Sequence, residues 1–472
     1  MNHERSDVMP LPIMRPLGEH PEAKDFTASF IANHVSDTGY MIDRRRFMLG
    51  GDDFSWSTLP RIDQRWQSHL EAVGVYGEAG IEQAWATVEG PLKPTSLDPA
   101  LGSLMVLLAH GAVGADTDAE CLERFCAAAG RVLEAVGPKD HRLVADAFGL
   151  LPSFSVSVVK ALLVSDDAAV RCLGIEVIGY RRMADDFDFV AELVSILRSR
   201  ESSPDVATSA ARALARLGEV SAGPLAASRA SRAPVSVELV EAALCLGETL
   251  AVEALRKVLS AGAVASPVEL ARCARLLAFA GSKDDASLLW QVHCRTPEVE
   301  GVVSALGCLG YADSLQHLHS AVDQPRSKTA RAEAAAALTL ITGANPGAGN
   351  AEGQEPCVDP RRWSEWFARH RNRFTLGSRY RGGKTLSAAH LVATLAEPRG
   401  SYALRNQAAI ELSIAVGKGI IFECDWPLPK QRQQLKLFEQ CAARAASAPV
   451  RGKSLERHFH DAVVAATGRA RS

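Results

Sequence analysis

The chain has 472 residues, of which 47% are hydrophobic and 23% are charged. These proportions lie in the range of ordinary globular proteins, so they exclude a largely disordered chain and a collagen-like fibre. The formal net charge of −3 is uneven, because residues from Asp359 onward hold 20 basic and 9 acidic side chains, whereas the preceding part holds 32 and 46. Aromatic residues make up only 6% and alanine is abundant, which favours closely packed helices over sheets.

No segment of the sequence predicts membrane insertion or export. The longest apolar stretch, Leu101–Val113, is too short to cross a bilayer and contains His110. Residues 1–20 hold three prolines and no apolar core, unlike a secretory signal. We therefore expect no membrane association and a cytoplasmic location. The ten cysteines are scattered without paired spacing, which predicts reduced thiols in a core.

The first part of the chain predicts a leader followed by helices. Residues 1–24 are expected to form a flexible leader. From residue 25 to residue 160, apolar side chains recur at spacings of three and four, the period of amphipathic helices. The helices predicted for this N-terminal region, which is expected to act as a cap, cover residues 25–43, 56–73, 78–88, 99–113, 118–136 and 141–160.

Residues 161–343 repeat one pattern, in which a polar turn precedes an Ala-, Leu- and Val-rich segment, a glycine and a second helical segment. A period of about 30 residues with two helices in each unit predicts an α-solenoid, whose stacked hairpins bury their apolar faces on one another. The first segments of the successive units are 166–179, 203–218, 235–247, 266–281, 296–310 and 327–343.

Capping signals support these boundaries. Ser203-Pro204, Ser266-Pro267 and Thr296-Pro297 each place a hydroxyl at the N-cap and a proline at the first helical position. The glycines that close the first segments are expected in the left-handed conformation that ends helices. Small residues such as Ala213 and Ala305 are expected to let paired helices approach closely.

The region after the repeats changes in composition. Residues 344–358 are rich in glycine and proline and predict a linker, and residues 359–472 form a basic region. Basic side chains interleaved with aromatic ones between residues 361 and 384 fit nucleic-acid binding. The interpretation that we favour is a basic subdomain that docks on the acidic repeats or on an acidic protein partner. Helices are predicted in the basic region at residues 359–373, 387–395, 404–416 and 431–446.

The sequence offers few candidates for chemistry. The run Gly382-Gly383-Lys384-Thr385 ends like a phosphate-binding loop, but Ser378 stands where such a loop requires its first glycine. The pairs His317/His319 and His458/His460 are spaced two apart, which points their side chains to different faces of a helix. No metalloprotease, serine-hydrolase or kinase motif occurs. We therefore predict a protein that is not an enzyme and that holds no metal or cofactor.

Several first segments open with an acidic turn and a valine, and the run Ala213–Gly218 closes one of them as Ala-Leu-x-x-Leu-Gly. This pattern over residues 166–343 resembles the HEAT-repeat family in its short bacterial form. The resemblance implies an all-α fold, namely a solenoid of HEAT-like helical hairpins with an N-terminal helical cap and a basic C-terminal helical subdomain.

Two further segments are distinctive. Residues 59–80 begin Leu-Pro-Arg-Ile-Asp-Gln-Arg-Trp, and residues 363–383 carry spaced Trp, Arg, Phe, Gly and Tyr. They resemble the two terminal signatures of an uncharacterised bacterial HEAT-repeat family linked to type VI secretion gene clusters, although Lys384 stands where a turn residue is expected. The candidate partner-binding residues in these segments are Arg61, Asp63, Arg65, His69, Trp363, Trp366, Arg371, Arg379 and Tyr380.

Arg61 and Arg65 lie one helical turn apart, and Arg65 lies one turn before His69, so these three share a face. That face could recognise a partner, or it could belong to a buried polar network that ties the cap to the first repeats. The resemblance implies a scaffold or adaptor that binds a spike-tip, adaptor or effector protein of type VI secretion. Nucleic-acid binding by the basic region is the alternative.

Overall fold

The computed structural model describes residues 21–447 except 50–55, 57, 93–96, 114–116, 154, 184–187, 233–234, 263–265, 348–354 and 398–399. The predicted leader, residues 1–24, falls almost entirely outside the described residues. The chain divides into two compact units, the first built from residues up to Arg46 together with Arg61–Ala161 and the second from Phe47–Pro60 together with residues from Leu162 onward. Helices account for nearly all the regular structure described, which confirms the all-α prediction.

The described residues of the first unit form helices joined by turns, and Trp66 is fully buried among them. Two glycines allow helices to cross with their backbones in contact. A Cβ atom at Gly102 would lie 1.9 Å from the carbonyl oxygen of Val35, and one at Gly39 would lie 1.9 Å from that of Asp98. The helices that begin in this unit are α1 (Pro21–Leu49), α2 (Leu59–Gly74), α3 (Glu78–Glu89), α4 (Leu97–Ala109), α5 (Ala119–Val136), α6 (His141–Leu150) and α7 (Val156–Val164).

The prediction of one helix over residues 141–160 is wrong, because α6 ends at Leu150 and α7 begins at Val156. Leu151 takes an extended ψ of 141°. Leu151 precedes Pro152, whose ring disfavours the helical conformation in the residue before it.

The second unit begins with a succession of helix pairs. In each pair the first helix packs on the first helix of the next pair, so that α8, α10, α12, α14, α16 and α18 form one row. The helices between them pack on the first helix that follows. The helices of this succession are α8 (Ala168–Arg181), α9 (Phe189–Arg198), α10 (Pro204–Leu217), α11 (Gly223–Ala230), α12 (Val237–Cys245), α13 (Leu250–Ala261), α14 (Pro267–Ala280), α15 (Asp285–Arg295), α16 (Val302–Leu309), α17 (Leu315–Asp323) and α18 (Lys328–Thr342).

Small residues set the distance between neighbouring first helices. A Cβ atom at Gly179 would lie 2.7 Å from the Cα atom of Ala213, and one at Gly307 would lie 2.7 Å from the Cβ atom of Ala337. Ala305 is also buried. At Ala213 the close approach therefore occurs between neighbouring first helices, α8 and α10, and not within a pair as predicted.

Most of the capping predictions hold. Ser203 and Ser266 accept hydrogen bonds from backbone N–H groups in the first turns of α10 and α14. The prediction for Thr296 is wrong, since Thr296 ends α15 and its hydroxyl donates to the carbonyl of Val292 at 2.8 Å. The helix α16 begins only at Val302, after Gly301 turns the chain with a φ of 92°.

Four of the closing glycines have positive φ as predicted, and two do not. Gly179 lies inside α8, and the left-handed residue after that helix is Arg182, with a φ of 57°. Gly281 follows α14 in an extended conformation, with φ −80° and ψ −177°. The glycines with positive φ are Gly218, Gly247, Gly310 and Gly343.

The C-terminal part of the second unit has its own hydrophobic core and a short hairpin. Gly382 and Gly383 have φ of 59° and 75°, the left-handed conformation that a two-residue hairpin turn requires. The run that ends like a phosphate-binding loop is thus a β-turn. The elements of this part are α19 (Pro360–His370), β1 (Tyr380–Arg381), β2 (Lys384–Thr385), α20 (Ala388–Ala396), α21 (Tyr402–Val416) and α22 (Leu428–Ser447).

Two adjacent alanines of α18 test the close packing of the first helices. Ala337 is buried against Gly307, whereas Ala336 is exposed. We expect Ala337→Leu to lower the free energy of unfolding by about 1–3 kcal/mol, because added methylenes in a filled contact force the helices apart. Ala336→Leu should change it by less than about 0.5 kcal/mol. Urea denaturation measures both, and equal effects would contradict the packing described.

Candidate binding surfaces and a cavity

The N-terminal candidate residues on α2 divide into buried and exposed groups. Asp63 is buried, accepts a hydrogen bond from Nε of Arg45 at 2.7 Å, and lies 3.4 Å from Nε1 of Trp66. Arg61 and Arg65 are exposed. Asp63 therefore joins α1 to α2 inside the first unit, while the two arginines are available to a partner.

His69 belongs to a half-buried histidine pair. Its Nδ1 atom lies 2.9 Å from Nδ1 of His34 on α1 and 3.6 Å from a carboxylate oxygen of Asp37. Burial, and next the charge of His69, lower the pKa of His34. Two facing ring nitrogens can share only one proton, so the pair is held together when one ring is neutral.

An aromatic face on α1 was not predicted from the sequence. The side chains of Phe26 and Phe30 are 66% and 39% exposed, and their rings stack with centroids 6.2 Å apart. Phe30 also contacts Tyr76, and the preceding Val75 is 84% exposed. In the sequence, Phe26 and Phe30 are four residues apart, which places them on one face of a helix. Such spacing normally indicates a face that is buried in the core, so it did not predict an exposed surface.

The tryptophans of the C-terminal signature are part of an aromatic cluster. Trp363 is fully buried, and its Nε1 atom donates to the carbonyl of Cys357 at 2.6 Å. Trp366 stacks on His370 with ring centroids 4.9 Å apart. Phe367, which belongs to the same cluster, packs against His319 of α17 with the two rings edge-on. The aromatic cluster therefore attaches α19 to α17.

Arg379 and Tyr380 have partners inside the fold. Nε of Arg379 donates to the carbonyl of Leu309 at 2.9 Å, and its Nη2 donates to Glu411 at 2.5 Å. Arg381 donates to the carbonyl of Cys308 at 3.0 Å and pairs with the same carboxylate, whose side chain is only 1% exposed. Two guanidinium groups thus cap the C-terminal end of α16, where helix carbonyls lack partners of their own.

Tyr380 continues this attachment through its backbone. Its N–H donates to the carbonyl of Gly310 at 2.7 Å, and its hydroxyl accepts from the N–H of Thr375 at 2.9 Å. Arg371, in contrast, is exposed, as are Arg361, Arg369 and Arg373. These four exposed arginines are here called the basic face; Arg362 and Lys384 of the predicted basic cluster are exposed as well.

The C-terminal part docks along the ends of several first helices. The N–H groups of Gly382 and Gly383 donate to carbonyls at the end of α18 at 2.7 and 2.9 Å. Residues 379–381 contact the end of α16, as described above. Further on, the N–H of Gly419 donates to Cys245 at the end of α12 at 2.8 Å. We call residues 378–385 and 417–426 the seam.

The seam also contacts the first two helix pairs. Arg216 of α10 forms ion pairs with Glu423 at 2.9 Å and with Glu176 of α8 at 3.0 Å. The hydroxyl of Tyr180 on α8 donates to the carbonyl of Asp425 at 3.3 Å. The seam of the basic region therefore docks on the repeats, one of the two arrangements that the sequence left open.

Among the described residues, no hydrogen bond joins the seam to the end of α14, and a cavity of about 390 Å³ opens there. The cavity lies beside Gly281, after α14, and between the end of α12 and the helices α20 and α21. Its lining includes Glu248, Tyr311 and Ser387, and Arg379 and Glu411 form part of one wall.

Three cysteines among the described residues are unlike catalytic nucleophiles. Burial raises the pKa of the Cys126, Cys172 and Cys273 thiols to about 11, whereas a nucleophilic cysteine needs a lowered pKa. No group of three or more His, Cys, Asp and Glu side chains among these residues could hold a metal ion. Likewise, none of their helices combines the length and apolarity needed to cross a membrane.

Comparison with known proteins adds no family. No model of a known protein family matches the sequence, and no curated protein is significantly similar to it. The likeness of residues 59–80 and 363–383 to type VI secretion signatures thus stays a prediction.

The division of the α2 residues into structural and exposed groups can be tested by stability. We expect Asp63→Ala to lower the free energy of unfolding by about 3–5 kcal/mol, because it leaves the guanidinium of Arg45 buried without its carboxylate. Arg65→Ala, on the same helix, should change it by less than about 0.5 kcal/mol. Thermal and urea unfolding check both values, and a stable Asp63→Ala protein would argue against the buried pair.

Proposed function

We propose that this protein is a non-catalytic scaffold that binds another protein, and that its succession of helix pairs is a HEAT-like solenoid. Support for the solenoid comes from the ordered packing of α8, α10, α12, α14, α16 and α18 on one another. An architecture of stacked hairpins has a long surface and contacts partners over many residues.

The observation that carries the proposal is the aromatic face of the first unit. Phe26 and Phe30 are exposed on one side of α1, beside Tyr76 and the exposed Val75. Exposed apolar side chains that cluster are typical of protein interfaces, in which aromatic residues contribute much of the binding energy. Arg61 and Arg65, exposed on α2 of the same unit, add hydrogen-bond donors of the kind found at interfaces.

We propose a partner from the type VI secretion machinery: a spike-tip, adaptor or effector protein held in the cytoplasm before loading. This part rests on the resemblance of the two signature segments. Four of the nine signature residues, namely Asp63, Trp363, Arg379 and Tyr380, are buried or engaged within the fold. The signature segments that this chain and the family have in common would then reflect a common fold. The aromatic face of α1 and the exposed arginines of α2 would select the partner.

Co-elution of purified proteins tests this proposal. We expect the chain to co-elute in size-exclusion chromatography with a spike-tip, adaptor or effector protein encoded beside it. Phe26→Ser combined with Phe30→Ser should weaken the complex by at least about ten-fold, because it removes two aromatic contacts. Val268→Ser, which changes an apolar residue that is 70% exposed in the second unit, is the matched control and should bind normally.

Two results would contradict the scaffold proposal. In the first, none of the purified candidate proteins co-elutes with the wild-type chain. In the second, a complex forms but the double serine variant binds as tightly as the control.

The basic face supports nucleic-acid binding as a second candidate function. Arg361, Arg369, Arg371 and Arg373 are exposed on α19 and in the turn that follows it. The aromatic rings nearby are less suitable, because Trp366 already stacks on His370 and Phe367 packs against His319. Phosphate contacts would therefore have to provide most of the affinity.

Fluorescence anisotropy with duplex and single-stranded DNA tests the second candidate. If the basic face binds phosphates, affinity should fall steeply as salt rises from about 50 to about 200 mM, and Arg371→Glu with Arg373→Glu should abolish it. Arg379 is unsuitable for this test since it caps α16. Absence of binding by the wild-type chain at about 50 mM salt would dismiss this function.

A further inference from the structure

The outer side of α20 is unusually apolar for a helix at the surface. None of its nine residues, Ala388–Ala396, is Asp, Glu, Lys or Arg. Ala393 is nevertheless exposed, and Ala389 and Ala396 are half-buried. A surface helix normally has polar and charged side chains on its outer side, whereas a helix that is apolar all round is typically covered by another segment.

A groove of about 350 Å³ opens between α20 and α22. Most of the described residues that line it have small apolar side chains, and these are Ala389, Val392, Ala393, Ala396 and Ala442. The other two are Glu397 and Glu439, which are exposed. The hydrophobic core of the C-terminal part lies beneath, since Val392 and Ala442 belong to it. Small side chains in the groove leave room for larger apolar side chains from a covering segment.

The chain itself continues beside this groove. Ala442 lies five residues before Ser447, where α22 ends, so residues 448–472 begin about 8 Å from the groove along the helix axis. Pro449 and Gly452, which follow, are residue types that favour a change of chain direction. A return of the chain over α20 and α22 therefore needs no long connection.

Residues 454–467 have the apolar spacing of an amphipathic helix. Their apolar positions recur every three or four residues and share one side, and they are Leu455, Phe459, Ala462, Val463 and Ala466. Arg457 and Asp461 fall on the opposite side. Since an isolated helix of about 14 residues is only marginally stable in water, this segment gains most if it buries its apolar side on a partner surface.

The charges of the segment and of the groove are complementary. Residues 448–472 hold five basic and two acidic side chains. Four of the basic ones flank the amphipathic stretch, namely Arg451, Lys453, Arg469 and Arg471. The two charged residues in the lining of the groove are both carboxylates. Opposite charges at the rim of an interface add little affinity but favour the correct register.

We propose that the groove between α20 and α22 is the docking site of residues 454–467 of the same chain, which bind there as a helix with Phe459 and Val463 toward Ala393. The docked segment adds a helix to the C-terminal part and covers the uncharged side of α20. Docking within one chain needs no second protein, so it is tested apart from the proposed scaffold function.

Hydrogen–deuterium exchange of the full-length protein, followed by mass spectrometry, tests this docking. We expect the amides of residues 456–467 to exchange at least about 30-fold more slowly than those of an unfolded chain, because the docked helix holds their hydrogen bonds. Ala393→Asp places a charge in the groove and should abolish this protection. Ala403→Asp, at an exposed position on α21, is the matched control and should leave it unchanged.

Two adjacent valines test which side of the segment is buried. Val463→Ser removes an apolar contact from the docked side and should lower the protection by about ten-fold. Val464→Ser, on the opposite side, should change it by less than about two-fold. Both variants keep the groove intact, so they decide the matter even if Ala393→Asp destabilises α20.

Three results would overturn the proposal. In the first, residues 456–467 of the wild-type protein exchange without protection. In the second, Ala393→Asp leaves the protection as it is, which would mean that the segment docks elsewhere. In the third, Val464→Ser lowers the protection as much as Val463→Ser does.

A series of protein concentrations distinguishes docking within one chain from docking on a second copy. Protection within one chain should be the same at about 1 µM and at about 50 µM, because no association is involved. Protection that rises over this range would place the segment in the groove of another molecule, and would overturn docking within the chain.

Discussion

The structure of the second unit depends on how its helices satisfy their C-terminal carbonyls. Every helix leaves its last four carbonyls without partners in its own turns, and burying them unpaired is costly. In the second row of helices, arginines near the end of one helix cap the helix before it: Arg229 caps α9, Arg295 caps α13, and Arg326 caps α15. Each such bond joins two successive pairs, so one interaction both completes a helix and fixes its neighbour.

The first row uses the C-terminal part of the chain for the same purpose. The seam supplies backbone N–H groups to α18 and α12 and guanidinium groups to α16. Gly343 and Gly247 have positive φ, and the backbone of the seam lies very close to both. A Cβ atom at Gly247 would lie 2.5 Å from the carbonyl oxygen of Gly417. The closing glycines therefore end their helices and also admit the seam, two requirements that only glycine meets together.

Buried charges follow from the same arrangement. Glu411 is almost fully buried between Arg379 and Arg381, and Arg216 lies between Glu176 and Glu423. Loss of one partner of such a buried pair is strongly destabilising, because the other partner stays charged and is shielded from water. Within the basic region these contacts engage Arg379 and Arg381, whereas the arginines of the basic face stay exposed. The binding surface that we propose for a protein partner is accordingly the aromatic face of α1.

The sequence by itself determined the helical class, the repeating pairs, most helix starts and the places of close packing. These features depend on local rules: the spacing of apolar residues, hydroxyls and prolines at helix starts, and small residues at contacts. Only the tertiary structure decided that Asp63, Arg379 and Tyr380 serve the fold, that Phe26 and Phe30 stay exposed, and that α14 ends at a cavity. The reason is that the sequence does not show whether an arginine or a carbonyl group has a hydrogen-bond partner in the folded chain. Arg379, for example, donates to a carbonyl that lies 70 residues away along the chain.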